Sequence, residues 1–257
     1  MNDKDYFLVV FLCFLYHLSS INSIMERMKN IVLIGPDNLL APENYYDVIT
    51  ACHANYMTLD VGEPIEKLKD ADGIILPGGV DVNPKLYHEE NRGSRYINDE
   101  LDEMEMKTIN YALKHHIPMF GTCRGMQILN IYFGGNMNQD ISTKDIHSAY
   151  SEKGRWYDRR HDTLVTKESF LYKVYGSRFI SVNSAHHQGL KQLGWGFRTV
   201  QVSDDDLIEA IEHDSLPIIA VQWHPERMAC ALRRDDTVDG LPLFDYFINT
   251  YIDEFSK

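Results

Sequence analysis

The residues most suggestive of chemistry lie between positions 117 and 135, which read Ile-Pro-Met-Phe-Gly-Thr-Cys-Arg-Gly-Met-Gln-Ile-Leu-Asn-Ile-Tyr-Phe-Gly-Gly. An apolar run passes into Gly121-Thr-Cys123-Arg-Gly125 and then directly into a helical pattern. This is a nucleophile-elbow arrangement with cysteine at its apex. A sharp strand-to-helix turn forces the apex residue into a strained backbone region, and flanking glycines relieve the crowding around it. The amino end of the following helix aims free N–H groups and a positive dipole at the thiol, which lowers its pKa and favours the thiolate. A tight turn around a buried thiol would use the same glycines, so the rest of the chain decides between the two readings.

A nucleophile needs a base, and the base needs an orienting partner. Residues 218–222 form an apolar strand pattern that ends in Trp223-His224-Pro225-Glu226. Residues two apart in an extended segment lie on the same side, so His224 and Glu226 can project together. Pro225 restricts the backbone between them. Glu226 can then hold the His224 ring while its other nitrogen faces Cys123. Acyl transfer also needs donors for an oxyanion. The Arg124 N–H is one by the geometry of the elbow, and Gly79, in Pro77-Gly78-Gly79-Val80 after another apolar strand, is assigned as the second.

The elements that must carry these groups follow from hydrophobic pattern. Continuous apolar runs at 31–34, 73–76 and 117–120 suit strands buried on both faces of a parallel sheet. Helices are expected over 45–56, 98–115, 124–133 and 243–255, with a helical turn at 65–69. The later segments 161–165, 179–182, 198–202, 207–212 and 218–222 are short, rich in β-branched residues and separated by turns. Strands alternating with helices and followed by several strands predict a single α/β domain: an open, mostly parallel mixed sheet flanked by helices.

The 257 residues are 44% hydrophobic and 25% charged, ordinary for one large domain, and the formal net charge is −13. That charge excludes nucleic acid and anionic membranes as partners of the overall surface, because their phosphates would be repelled. The four cysteines, Cys13, Cys52, Cys123 and Cys230, contain no C-x-x-C pair and read neither as a disulfide framework nor as a zinc motif. At least two of the three besides Cys123 are expected to be small buried thiols. Residues 1–27 form a separate leader whose apolar run, 6–18, is shorter than the roughly 20 residues of a membrane span. It is compatible with a signal, an anchor or a misassigned start, with translation beginning at Met25 or Met28. The expected location is cytoplasmic, or exported or membrane-anchored where the leader acts, with membrane association only if it is retained.

Four blocks carry a resemblance to a known family: Leu76-Pro-Gly-Gly-Val-Asp-Val-Asn-Pro84 with Tyr87 and Glu89; Cys123-Arg-Gly-Met-Gln127 through Gly134-Gly135 to Gln139-Asp-Ile141; Val182-Asn-Ser-Ala-His-His-Gln188; and Val221-Gln-Trp-His-Pro-Glu226. From Met28 onward the chain resembles the class I glutamine amidotransferases, and among them the γ-glutamyl-γ-aminobutyrate hydrolase branch (peptidase C26-like). The resemblance implies a flavodoxin-like fold and a Cys123–His224–Glu226 triad. It implies hydrolysis of γ-glutamyl amides through a γ-glutamyl thioester, with no cofactor or metal. It also implies a glutamyl pocket lined by Gln127, His186, His187 and Gln188. A zinc pair at His186-His187 is disfavoured because no third ligand is evident. Two positions depart from the family pattern: Leu101-Asp102 replaces Arg-Asp, which leaves the leaving-group side unassigned, and Asp205-Asp206 replaces Asp-Gly at a turn. A glutaminase subunit feeding a separate synthetase and a catalytically silent binding protein are the alternatives. A homodimer is compatible with the chain.

Overall fold

The computed structural model describes residues 27–255, so the reading of the leader falls outside the described residues. Four strands come first: β1 (Asn30–Ile34), β2 (Asn55–Leu59), β3 (Gly73–Leu76) and β4 (Met119–Thr122). The second half adds β5 (Asn136–Asn138), β6 (Tyr150–Glu152), β7 (Arg155–Tyr157), β8 (Arg159–Val165), β9 (Phe179–Ser184), β10 (Gly189–Gln192), β11 (Phe197–Ser203), β12 (Ile208–His213) and β13 (Ile218–Val221). Nine of these make one mixed sheet in the order β2-β1-β3-β4-β13-β12-β11-β8-β9. The first five strands in that order run parallel, and the rest extend the sheet antiparallel. The expected α/β class, with a mixed sheet between helices, is what the chain forms.

Helices α1 (Glu43–Ala51), α2 (Asp99–His115) and α3 (Arg124–Tyr132) accompany the parallel half, followed by the short α4 (Lys144–His147) and α5 (Phe170–Tyr175). The strands alternate their side chains between two cores. Ile31 and Leu33 join Tyr45, Val48 and Ile49 of α1 and the C-terminal Phe244 and Phe247. Val32 and Ile34 join Ile109 and Ala112 of α2 and Met126 and Leu129 of α3. Both faces are therefore covered, which is why these strands read as unbroken apolar runs. Helix α2 starts where the Asn98 side chain accepts from the Leu101 N–H at 3.1 Å, has Asp99, Glu100 and Asp102 in its first turn, and stops at left-handed His116.

Two expectations are corrected. The helix expected over 45–56 ends at Ala51; His53 turns the chain at φ 58°, and Asn55–Leu59 becomes β2. Among the described residues β2 lies at the sheet edge, paired only with β1, and it is partly exposed, so it lacks the apolar run that marks its neighbours. The C-terminal helix is interrupted by a π turn over Phe247–Tyr251. Of the cysteines, Cys52 is buried and Cys230 is exposed, and Cys13 lies outside the described residues. No helix among the described residues is long and apolar enough to cross a membrane.

Candidate active site

Cys123 stands between β4 and α3 with φ 49° and ψ −104°, a conformation few L-residues adopt without support. The support is steric necessity on both sides. A Cβ on Gly121 would lie 2.7 Å from the Gly125 carbonyl carbon, and one on Gly125 would lie 1.9 Å from the Leu76 carbonyl oxygen. The chain crosses β3 so closely at the elbow that only glycine fits. The backbone is then tied down: Cys123 N–H donates to Val221 O at 2.8 Å and Gly125 N–H to Pro77 O at 3.0 Å.

The parallel pairing of β4 with β13 brings the second group into place, because Val221 sits beside Thr122 and the chain continues through Gln222 and Trp223 to His224. His224 Nδ1 lies 2.8 Å from Glu226 Oε1, and both side chains are 3% exposed. With Nδ1–H donated to the carboxylate, the other ring nitrogen is left to exchange a proton with Cys123. Asn183 clamps the same backbone, accepting from His224 N–H and donating to His224 O, each at 3.0 Å. Arg227 flanks Glu226 at 3.5 Å and pairs with Asp158 at 3.0 Å.

Electrostatics favour a charged pair at rest. Burial pushes the Cys123 thiol up, but the His224 ring overrides it, with smaller help from His186 and Arg227, and the thiol settles below its ordinary value. Burial and Arg227 push the His224 ring down; Glu226 and Cys123 outweigh them and raise it to about 9. Burial likewise pushes Glu226 up, and His224 brings it below the carboxylate range. Thiolate, imidazolium and carboxylate are mutually stabilising here.

The expected oxyanion donors, Gly79 and Arg124, follow β3 and β4, which are neighbours in the sheet. Gly78 N–H is taken by the Tyr45 hydroxyl at 3.2 Å and Gly125 N–H by Pro77, whereas the Gly79 and Arg124 N–H groups meet no acceptor among the described residues. A Cβ on Gly79 would touch the Arg124 side chain at 3.1 Å. The neighbouring glycine is the more confined: a Cβ on Gly78 would lie 2.7 Å from the His224 ring and 3.6 Å from Cys123 Cβ. Gly78 and Tyr45, whose hydroxyl also lies 2.7 Å from Thr122 Oγ1, were missed in the sequence because their roles exist only once β3 and β4 are adjacent. Gln222 was missed too. It donates toward Cys123 Sγ at 3.6 Å and accepts from Gln127 Nε2 at 3.3 Å, linking the expected pocket residue to the thiol.

The remaining expected pocket residues divide. His186 is buried and close enough to Cys123 for each to influence the other's charge. His187 bridges Asp81 at 2.9 Å and Asp140 at 3.2 Å, and the Gln188 amide donates to Ser94 Oγ and Gln139 O. Those two side chains tie the surrounding loops together. The departures from the family pattern also find places. Leu101 packs into the core against Gly35, whereas buried Asp102 keeps a charged role, pairing with the Arg124 guanidinium at 2.5 Å and accepting from Asn83 N–H at 2.9 Å. Glu105 completes that ion triad. Asp206 adopts the left-handed turn at φ 65°.

The profile of the Peptidase C26 family matches residues 19–226. The chain belongs to this family. Among relatives, it is 42% identical over 183 residues to a Schizosaccharomyces pombe protein named as a candidate glutamine amidotransferase, PB2B2.05, covering 69% of each chain. It is 30% identical to protein NtpR of Enterococcus hirae over 82% of this chain and 89% of that one. To the γ-glutamyl-γ-aminobutyrate hydrolase PuuD of Escherichia coli it is 33% identical over 62% of this chain and 65% of that one. A solved structure from Thermoplasma acidophilum, described as a candidate GMP synthase component, shares the fold at 18% identity, with TM-score 0.65 over 90% of this chain and 96% of that one. Cys123, His224 and Glu226 thus sit on a glutamine amidotransferase-like scaffold, and the chain is of the amide-hydrolase type.

Proposed function

We propose that this C26 protein hydrolyses γ-glutamyl amide bonds through a γ-glutamyl thioester on Cys123, releasing glutamate and an amine. The observation that carries the reading is the buried His224–Glu226 pair at 2.8 Å beside a cysteine held at positive φ. The Cys123 thiolate attacks the γ-carbonyl carbon, and the electron pair of the C=O bond moves onto oxygen, where the Gly79 and Arg124 N–H groups receive it. Collapse expels the amine, which takes the His224 proton; the thioester remains. Neutral His224 then accepts a proton from water as it attacks the thioester, and collapse releases the glutamate carboxyl and expels the Cys123 sulfur as thiolate, which restores the thiolate–imidazolium pair. Gln222 donates toward that sulfur, and Gln127 offers the donor and acceptor that a zwitterionic glutamyl head requires.

Homology to PuuD supports γ-glutamyl-γ-aminobutyrate as the first substrate to try. The test is a panel of γ-glutamyl amides scored by glutamate release from wild type and Cys123→Ala. Release from at least one amide, absent in the variant, is expected. Equal release by both proteins would remove Cys123 from the reaction.

A further inference from the structure

We propose that His147, His161, His186 and Glu209 form a closed site for one divalent transition-metal ion of the zinc type. Such a site does not depend on the identity of the substrate. The four side chains come from the end of α4, from β8, from the turn between β9 and β10, and from β12, and their donor atoms all lie within 4.8 Å of one another. Glu209 Oε1 is almost equidistant from three ring nitrogens: 3.8 Å from His147 Nδ1, 3.6 Å from His161 Nε2 and 3.7 Å from His186 Nε2. Zinc bonds of roughly 2.0–2.2 Å at tetrahedral angles set ligand atoms about 3.3–3.5 Å apart, so the Glu209 distances are close to what an ion needs, and the donor atoms that lie up to 4.8 Å apart would draw in around it. A carboxylate holding one proton-bearing imidazole would instead draw a single nitrogen to about 2.7–2.9 Å.

The donors are also bare. Both Glu209 carboxylate oxygens, His161 Nε2 and His186 Nε2 are buried without a hydrogen-bond partner among the described residues, which is costly for a carboxylate that nothing compensates. Glu209 is wholly buried, and no lysine or arginine pairs with it among the described residues. Meanwhile the far nitrogens of the rings are engaged in the way metal-bound imidazoles use them. His186 Nδ1 lies 2.9 Å from Gln188 O, His147 Nε2 3.1 Å from both Asp205 oxygens, and His161 Nδ1 3.4 Å from Asp162 O. Each contact places the proton on the far nitrogen and leaves a lone pair turned inward. One competitor faces the cluster, the Ser184 hydroxyl at 3.3 Å from His147 Nδ1. Two carboxylates, Glu209 and Asp205, balance the charge of a divalent ion, and three imidazoles with one carboxylate suit zinc over magnesium or calcium.

Four protein ligands and no open position make the site structural. It lies one strand from the nucleophile: Gln222 N–H donates to Glu209 O at 2.8 Å, and the Gln222 side chain reaches Cys123. The ion would pin the antiparallel half of the sheet and the His186 turn to the catalytic strand. His187, the other half of the pair in the sequence, takes no part.

Elemental analysis of the full chain, purified without chelator, is expected to find about one zinc per chain. After chelation, Co²⁺ should restore the visible bands of a tetrahedral ion without thiolate charge-transfer absorption. Cys123→Ala should keep the metal, Glu209→Gln and His161→Ala should lose it, and Asp205→Asn should weaken it roughly 10–100-fold. The wild-type titration stands even if a ligand variant fails to fold. Failure of wild type to bind either zinc or Co²⁺ overturns the proposal, as does loss of the metal in Cys123→Ala with retention in folded His161→Ala.

Discussion

At the scale of single residues, the behaviour of Cys123 is set by a contest between burial, which favours the thiol, and its charged neighbours, which favour the thiolate and win. Alkylation of Cys123 by iodoacetamide, followed against pH by mass spectrometry, should therefore persist below the ordinary thiol range. In His224→Ala the cation that outweighs burial is gone, and the reactive range should move upward. The leaving amine needs the His224 proton, and that ring titrates at about 9. Its deprotonation defines the alkaline limb of kcat/KM, so activity should fall as pH rises through about 9. Glu226→Gln removes the charge that holds this proton and should cost roughly 10²–10⁴-fold in kcat, measured by glutamate release. Much of this chemistry was legible in residue types alone, because G-x-C-x-G and His-Pro-Glu each admit few physical uses. Gln222 was not, since nothing in its spacing announces a donor to sulfur.

At the scale of elements, the glycines show what a sequence hides. Gly125, in the first turn of α3, and Gly134, just past its end, look alike in the chain. A Cβ at Gly125 would collide with the backbone of β3, whereas Gly134, at φ 82°, has open space around it. Gly125→Ala should lower stability by about 3 kcal/mol through forced separation of α3 from β3. Gly134→Ala should cost about 1 kcal/mol, from backbone strain alone. Urea unfolding of the two variants measures both. The Asp102–Arg124–Glu105 triad couples α2 to α3, and a buried triad of this kind is strongly weakened by loss of one member. Strand β2 and the helix break at His53 escaped the pattern reading because an edge strand buries too little to be continuously apolar. Of the four metal-ligand candidates only His186 was singled out in the sequence, as a pocket residue, and a zinc role for it was disfavoured for want of a third ligand; His147, His161 and Glu209 are gathered by sheet topology from segments with no regular spacing.

For the whole molecule, two cores on opposite faces of one sheet hold the site between them. Phe244 is fully buried against Tyr45 and Phe120, the neighbours of the elbow. Phe244→Ala should cost about 3–5 kcal/mol in urea unfolding. Cys123 reactivity should survive in native buffer, because this residue only braces the layer behind the site. The order of strands and helices was readable, since buried parallel strands carry the strongest sequence signal; the antiparallel extension was readable as strands but not as a partner of the site. Its closeness to Cys123 emerges only when β12 pairs with β13. The proposed activity turns on one covalent event, and intact-mass analysis after treatment with an electrophilic glutamine analogue tests it most directly. One adduct per chain, mapped by peptide sequencing to Cys123 and absent from Cys52 and exposed Cys230, is the predicted result. An unmodified Cys123, or labelling confined to Cys230, would contradict it.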